Sequence, residues 1–411
     1  MSYIKVMANR HTLPVLLLAA ALLAQGAAAQ TPVRPAQFIV QPNTPSQFLN
    51  GVAMDGAGNL TFLWTSVSGT PSGLGERVYV RRFSAADAPQ GRAVSLEDPS
   101  KFNAEGGGVV ANQRGDVLIT WSRSPVSGSG PVESFLRRTS PVLPTLTLSL
   151  KAPADVAVDR NGNFVIIWIA STSSGTRIFG QRYNADGTAR GPEFNAATSN
   201  TGNHTSPSVA MNPNTGEFVV VWEVRAATED GTGLGVYGQR FGFTTGRQGG
   251  EFAIFVPPAS QRPDLITPFA PQVSRASNGR FVVVWRGVGT NGVDVLAQRY
   301  NNAGERLGAQ LLIAQEYIPD SHPQVAMSPQ GDFVVAWDDQ GTSPAWFRLL
   351  RADGTPAGPV VEQPPMGTAF YHGTGRVTYG WNRTFVYGWT NYLDEGPNGN
   401  TISFQRFMAS P

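Results

Sequence analysis

Short apolar runs recur along the chain, and each ends in tryptophan. Phe218-Val-Val-Val-Trp222 and Phe333-Val-Val-Ala-Trp337 are the clearest, and Phe164 to Trp168 follows the same pattern. In the first of these, Phe218, Val220 and Trp222 share one face while Val219 and Val221 share the other. Both faces are apolar, so the pattern predicts a strand packed between two neighbouring layers rather than one with a wet side. A tight turn precedes each run, and before the turn comes a Val-Ala-Met-like segment: Pro207-Ser-Val-Ala-Met-Asn212, Pro323-Gln-Val-Ala-Met-Ser328 and Val156-Ala-Val-Asp159. A Gly-rich stretch follows each run, then Tyr237-Gly-Gln-Arg-Phe241 or Phe179-Gly-Gln-Arg-Tyr183. A fourth short apolar segment closes the unit, as at Glu193-Phe194, Glu251 to Phe255 and Gln310 to Ile313. No sustained helical periodicity occurs beyond the first thirty residues.

The anchoring tryptophans are Trp64, Trp121, Trp168, Trp222, Trp285, Trp337 and Trp389, spaced 47 to 63 residues apart. A unit of four strands near that period points to a propeller, not a helical solenoid. The 411 residues, which length alone would divide into two or three domains, are therefore read as one closed array. The last unit ends at Pro411 without a fourth strand, while Ala36-Gln-Phe-Ile-Val40 precedes the first unit and resembles the missing one. The expected fold is an all-β, seven-bladed β-propeller with four-stranded blades. Phe38 to Val40 is expected to close the seventh blade beside Ser403 to Phe407, which removes an exposed sheet edge. The 46 Gly and 31 Pro then form the turn inventory of the blades.

The pattern P-x-V-A-x-D-x-x-G-x-F-V-V-x-W followed by Y-G-Q-R-F resembles the repeat of secreted bacterial β-propeller-like proteins, over about Ala36 to Phe407. The resemblance implies a neighbourhood of calcium-binding or adhesive modules and supplies no catalytic residues. Blades 2 and 7 depart from it: Arg137-Arg138-Thr139 replaces the third-strand motif, and Arg376-Val-Thr-Tyr379 replaces the first strand. The Gly-His and Trp-Asp signature of WD40 units is absent, as is the S-x-D-x-G-x-T-W box of sialidases.

Lys5, Arg10 and His11, the apolar run Leu13 to Ala24 and Ala27-Ala28-Ala29 have the organisation of a secretory signal peptide, residues 1–29. Residues 30–411 form the propeller, with no membrane insertion after cleavage and a secreted or periplasmic destination. Cysteine is absent, which excludes disulfides, thiolate metal sites and a cysteine nucleophile. The net charge of +2 provides no basic field for nucleic acid.

The one-to-two turns (Asp55-Gly-Ala-Gly58, Asp159-Arg-Asn-Gly162) and the three-to-four turns (Ala185-Asp-Gly187) are short and alike. The two-to-three and four-to-one connections are long and differ between blades, so that face is expected to bind. Residues just after each second strand are the candidates: Thr65, Ser122, Ile169, Glu223, Arg286, Asp338 and Thr390. The ligand face is drawn from Glu223, Arg225, Arg286, Asp338, Asp339, Trp346, Tyr392 and Asp394. No nucleophile elbow, phosphate cradle or metal-ligand spacing is present, so no catalytic residue, metal or cofactor is assigned. The recurring Arg182, Arg240, Arg299 and Arg406 are expected to join blades. The expected function is non-enzymatic recognition of a glycan or protein by a monomer. A polysaccharide hydrolase or lyase using carboxylates at the channel mouth, and a structural cell-surface module, are the alternatives.

Overall fold

The computed structural model describes residues 31–33, 36–40, 46–70, 73–98, 100–126, 130–140, 146–150, 153–199, 202–225, 234–257, 269–288, 293–316, 322–338, 345–363, 371–392 and 400–409. Residues 1–30, where a leader is expected, and much of the long connections lie outside them. Seven antiparallel sheets follow one another along the chain, each with its strands in sequential order from the axis outward. The first strands are Ser46–Met54, Phe102–Ala111, Pro153–Val158, Asn203–Met211, Gln272–Arg275, Gln324–Met327 and Tyr371–Tyr379. Each touches the first strand of the next blade, and Tyr371–Tyr379 touches Ser46–Met54, so the array closes into a seven-bladed propeller.

The two-faced second strands explain the packing. Phe218, Val220 and Trp222 cluster with Val165, Ile167 and Ile178 of blade 3. Val219 and Val221 cluster with Phe281, Val283 and Trp285 of blade 5. One such cluster fills each of the seven blade interfaces. The seven tryptophans are all buried and belong to this core. A side chain of that size contributes roughly 2–3 kcal/mol when fully buried.

Closure follows the expected register: Phe38 pairs with Ser403 and Val40 with Ile402, while Ile39 is buried in the cluster between blades 7 and 1. Thr31–Pro32 adds a second short pairing to the same strand, at Met408 and Phe407. The Gln-Arg motif holds blades together. Arg240 Nη1 donates to Asn302 O of the next blade (2.9 Å), and Arg299 Nη1 donates to Ala352 O (2.9 Å). Arg406 crosses the closure, donating from Nη2 to Gly58 O (3.0 Å) and pairing with the buried Asp87 (2.8 Å). The short turns are locally self-satisfied: Asp159 Oδ1 accepts the N–H groups of Asn161 and Asn163, and Gly162 takes the required positive φ of 88°.

Candidate binding site in the central channel

The residues that follow each second strand meet the next blade. Thr65 Oγ1 accepts the N–H of Gly106 (3.1 Å), Asp338 Oδ2 that of Gly375 (2.8 Å) and Thr390 Oγ1 that of Leu49 (3.0 Å). In each case the donor lies near the start of the neighbouring first strand, where a backbone N–H has lost its ladder partner. Glu223 is buried, with Arg225 Nε donating to Oε1 at 3.1 Å. Burial pushes its carboxyl up, opposed by Arg225 and by the backbone N–H groups of Ala270 and Phe269 in blade 5. Arg286 is buried too, and its backbone N–H donates to Phe269 O.

The candidate ligand-face residues thus divide. Glu223, Arg286 and Asp338 are buried between blades, while Arg225 is exposed above Glu223. Trp346 is half-buried beside the core between blades 5 and 6, opposite Trp337 in the ladder. Tyr392 ends the second strand of blade 7, Thr384–Tyr392. Asp339 and Asp394 lie outside the described residues. His204 is buried and stacked on Trp222, and no metal-ligand cluster occurs among the described residues.

A second set of polar residues surrounds the axis. The position before the conserved Val of each first strand holds Gly51, Gly108 and Asp155 in blades 1 to 3. It holds Ser208, Gln272, Gln324 and Arg376 in blades 4 to 7. In five blades the ladder is irregular just ahead of it, for instance between Leu49 and Gly51, Pro153 and Asp155, and Gly373 and Arg376. Such bulges re-aim side chains and favour functional rims. In blade 4 the irregular stretch includes Ser206, a non-glycine with φ 50°.

These side chains lie along the wall of a channel cavity of about 450 Å³. Its lining runs from Asn50 and Arg376 down to Gln113, Pro213, Pro329 and Trp381 in the one-to-two turns. The cavity therefore reaches the face with short turns, opposite the long connections that sequence variation favoured. Three of the ring side chains, and Ser274 two positions after the ring residue Gln272, reach the inner edge of the next blade. Asp155 Oδ2 accepts the Val209 N–H (2.9 Å), Ser208 Oγ the Val273 N–H (3.4 Å) and Ser274 Oγ the Met327 N–H (3.0 Å). Arg376 Nε donates to Asn50 O (2.8 Å) and Nη1 to Gly375 O (3.1 Å). Desolvation pushes Asp155 up to about 6, against the pull of the Val209 and Val156 N–H groups and Ser208. Desolvation lowers Arg376, with Asp338 as the main opposing charge.

Sequence reasoning passed over Asp155, Gln272, Gln324 and Asn50. The available signal was the variable x of the P-x-V-A-M repeat. Within a buried repeat, that one position changes from Gly to Asp, Ser, Gln and Arg.

No protein-family model matches the sequence, and no curated protein matches it. Solved structures do. A protein of unknown function from Dyadobacter fermentans DSM 18053 aligns with a TM-score of 0.55 at 10% identity, over 93% of this chain and 100% of that one. Phage phi92 endosialidase aligns at 0.51 and 8%, over 92% and 69%. Polysaccharide lyase Uly1 aligns at 0.50 and 9%, over 92% and 100%. The similarity is one of fold. At such identities it carries no residue roles across.

Proposed function

We propose that the chain is an exported, non-catalytic recognition propeller that binds an oligosaccharide in its central channel. The observation that carries this reading is the channel wall. Neutral amide and hydroxyl groups (Asn50, Gln272, Ser274, Gln324, Thr378) share it with one carboxylate, Asp155, and two guanidinium groups, Arg376 and Arg275, the latter engaged by Glu217 and Asn302. Among the described residues the side chains of Gln324 and Thr378 have no hydrogen-bond partner, and no partner is engaged by the side-chain N–H₂ groups of Asn50 and Gln272. Donors and acceptors left open around a polar cavity of this size suit a polyhydroxylated ligand. Among solved structures of similar fold are an endosialidase and a polysaccharide lyase, and this favours a glycan over a protein ligand.

A non-catalytic reading is favoured by the state of the acids. Glu223 and Asp338 are buried and engaged between blades, so neither is presented to a substrate. Asp155 is the one acid among the described residues lining the cavity, and carboxylate chemistry on glycosides uses two. A glycan and protein array tests the reading. Retention of saccharides, lost on replacing Gln272 and Gln324 together by Ala, is expected. Retention of proteins alone, or turnover of a polysaccharide by the purified chain, would overturn it.

A further inference from the structure

The ring is uneven, and the unevenness has a direction. In blades 3, 4 and 7 the ring side chain covers a backbone group on the next blade's inner edge. Blades 1 and 2 carry Gly51 and Gly108 there, so no ring side chain reaches across to blades 2 and 3; in blade 3 the edge N–H of Val156 is taken by Asp155 Oδ1 of its own strand (2.8 Å). A Cβ on Gly51 would sit 2.7 Å from Val109 Cγ1 and 3.4 Å from Val109 N, so there the Val109 side chain itself stands against the glycine. A Cβ on Gly108 would make ordinary van der Waals contact with Thr120 Oγ1 and Val156 Cγ1 at 3.7 and 3.9 Å, with no clash. Blades 1 and 2 therefore form an arc of the channel wall without ring side chains. Arg376 stands at one end of it and Asp155 at the other. Arg376 uses Nε and Nη1 on carbonyls, and its Nη2 has no hydrogen-bond partner among the described residues.

We propose that this arc seats a carboxylate-bearing sugar, the terminal uronate of an acidic oligosaccharide that enters from the short-turn face. The inference rests on the channel being the glycan site. Arg376 Nη2 donates to the ligand carboxylate, a charge-assisted contact in a desolvated setting. Asp155 accepts from ring hydroxyls, and the sugar face lies along the arc where Gly51 and Gly108 carry no side chain. A uronate is favoured over a peptide carboxylate because the rest of the wall offers amides and hydroxyls rather than an apolar side-chain pocket.

Titration calorimetry of the exported chain against oligogalacturonate, its methyl-esterified form, a neutral oligosaccharide and a short peptide with a free C-terminus tests this. The acid form is expected to bind about tenfold or more tightly than the ester. Arg376→Gln should abolish that difference and Arg376→Lys should restore part of it. Gly108→Phe, at a position without positive φ, should fill the arc and remove binding while leaving the melting temperature unchanged. Equal binding of acid and ester, or unchanged binding by Gly108→Phe, overturns the uronate seat and leaves glycan recognition standing. Binding of neither saccharide class overturns both, and binding of the peptide in preference to oligogalacturonate overturns the saccharide assignment itself.

Discussion

The outer rim and the channel wall use the same kinds of side chain to opposite ends. Beyond the second strands, Thr65, Asp338 and Thr390 each accept one backbone N–H from the next blade. On the wall, Asp155, Ser208 and Arg376 also reach the next blade, but Arg376 keeps Nη2 open and Gln324 keeps its whole amide. Variation between repeats is therefore a poor guide to binding by itself. Thr, Asp and Thr at the rim differ in kind and perform one structural task. The wall differs because two of its positions are glycine and carry no side chain.

The largest perturbation removes what both regions presuppose, a closed ring. Deleting residues 31–40 takes away the pairing with Thr401–Met408 and the buried Ile39. Calorimetry should show a loss on the order of 5 kcal/mol and a broadened transition. An unchanged melting curve would show that blades 1 and 7 hold together without it. Next, Asp338→Ala leaves the buried N–H of Gly375 without its acceptor. A loss of about 1–3 kcal/mol in denaturant unfolding is expected; unchanged stability would show that Gly375 N–H finds another acceptor. Thr390→Val removes a single neutral acceptor from Leu49 N–H and should cost about 1 kcal/mol by the same measurement.

The smallest effect sharpens the wall. Asp155 titrates near 6 in the folded chain against a reference value of 3.8, so its ionised form is disfavoured by folding. Its contribution to stability is greatest below the lower value and is lost as pH rises through the window from 3.8 to about 6. Thermal melts of the wild type minus those of Asp155→Asn should change across that window and be flat above it. A difference that changes only below pH 3.8 would place Asp155 in water rather than on a desolvated wall.

Much of the architecture was legible because apolar periodicity is local. Phe218 to Trp222 shows two apolar faces within five residues, and the structure packs both. The closing strand was legible from a missing fourth strand at one end and an extra one at the other. The interblade arginines were legible from repetition, since one residue recurring at one structural position serves every interface. Glu223 and Asp338 were less legible. Charge after an apolar strand suggests a wet loop, yet the neighbouring blade supplies backbone donors that make burial tolerable. The wall residues were hidden inside a motif that reads as core.

The sequence by itself determined the strand pattern, the number of blades and how the ring closes, because hydrophobic spacing and turn residues act over a few positions at a time. Only the tertiary structure decided which polar residues have partners. Asp155 is satisfied by Val209, 54 positions away, and Arg376 by Asn50, 326 positions away. Whether a side chain is engaged or open depends on backbone edges that meet only when the ring has closed.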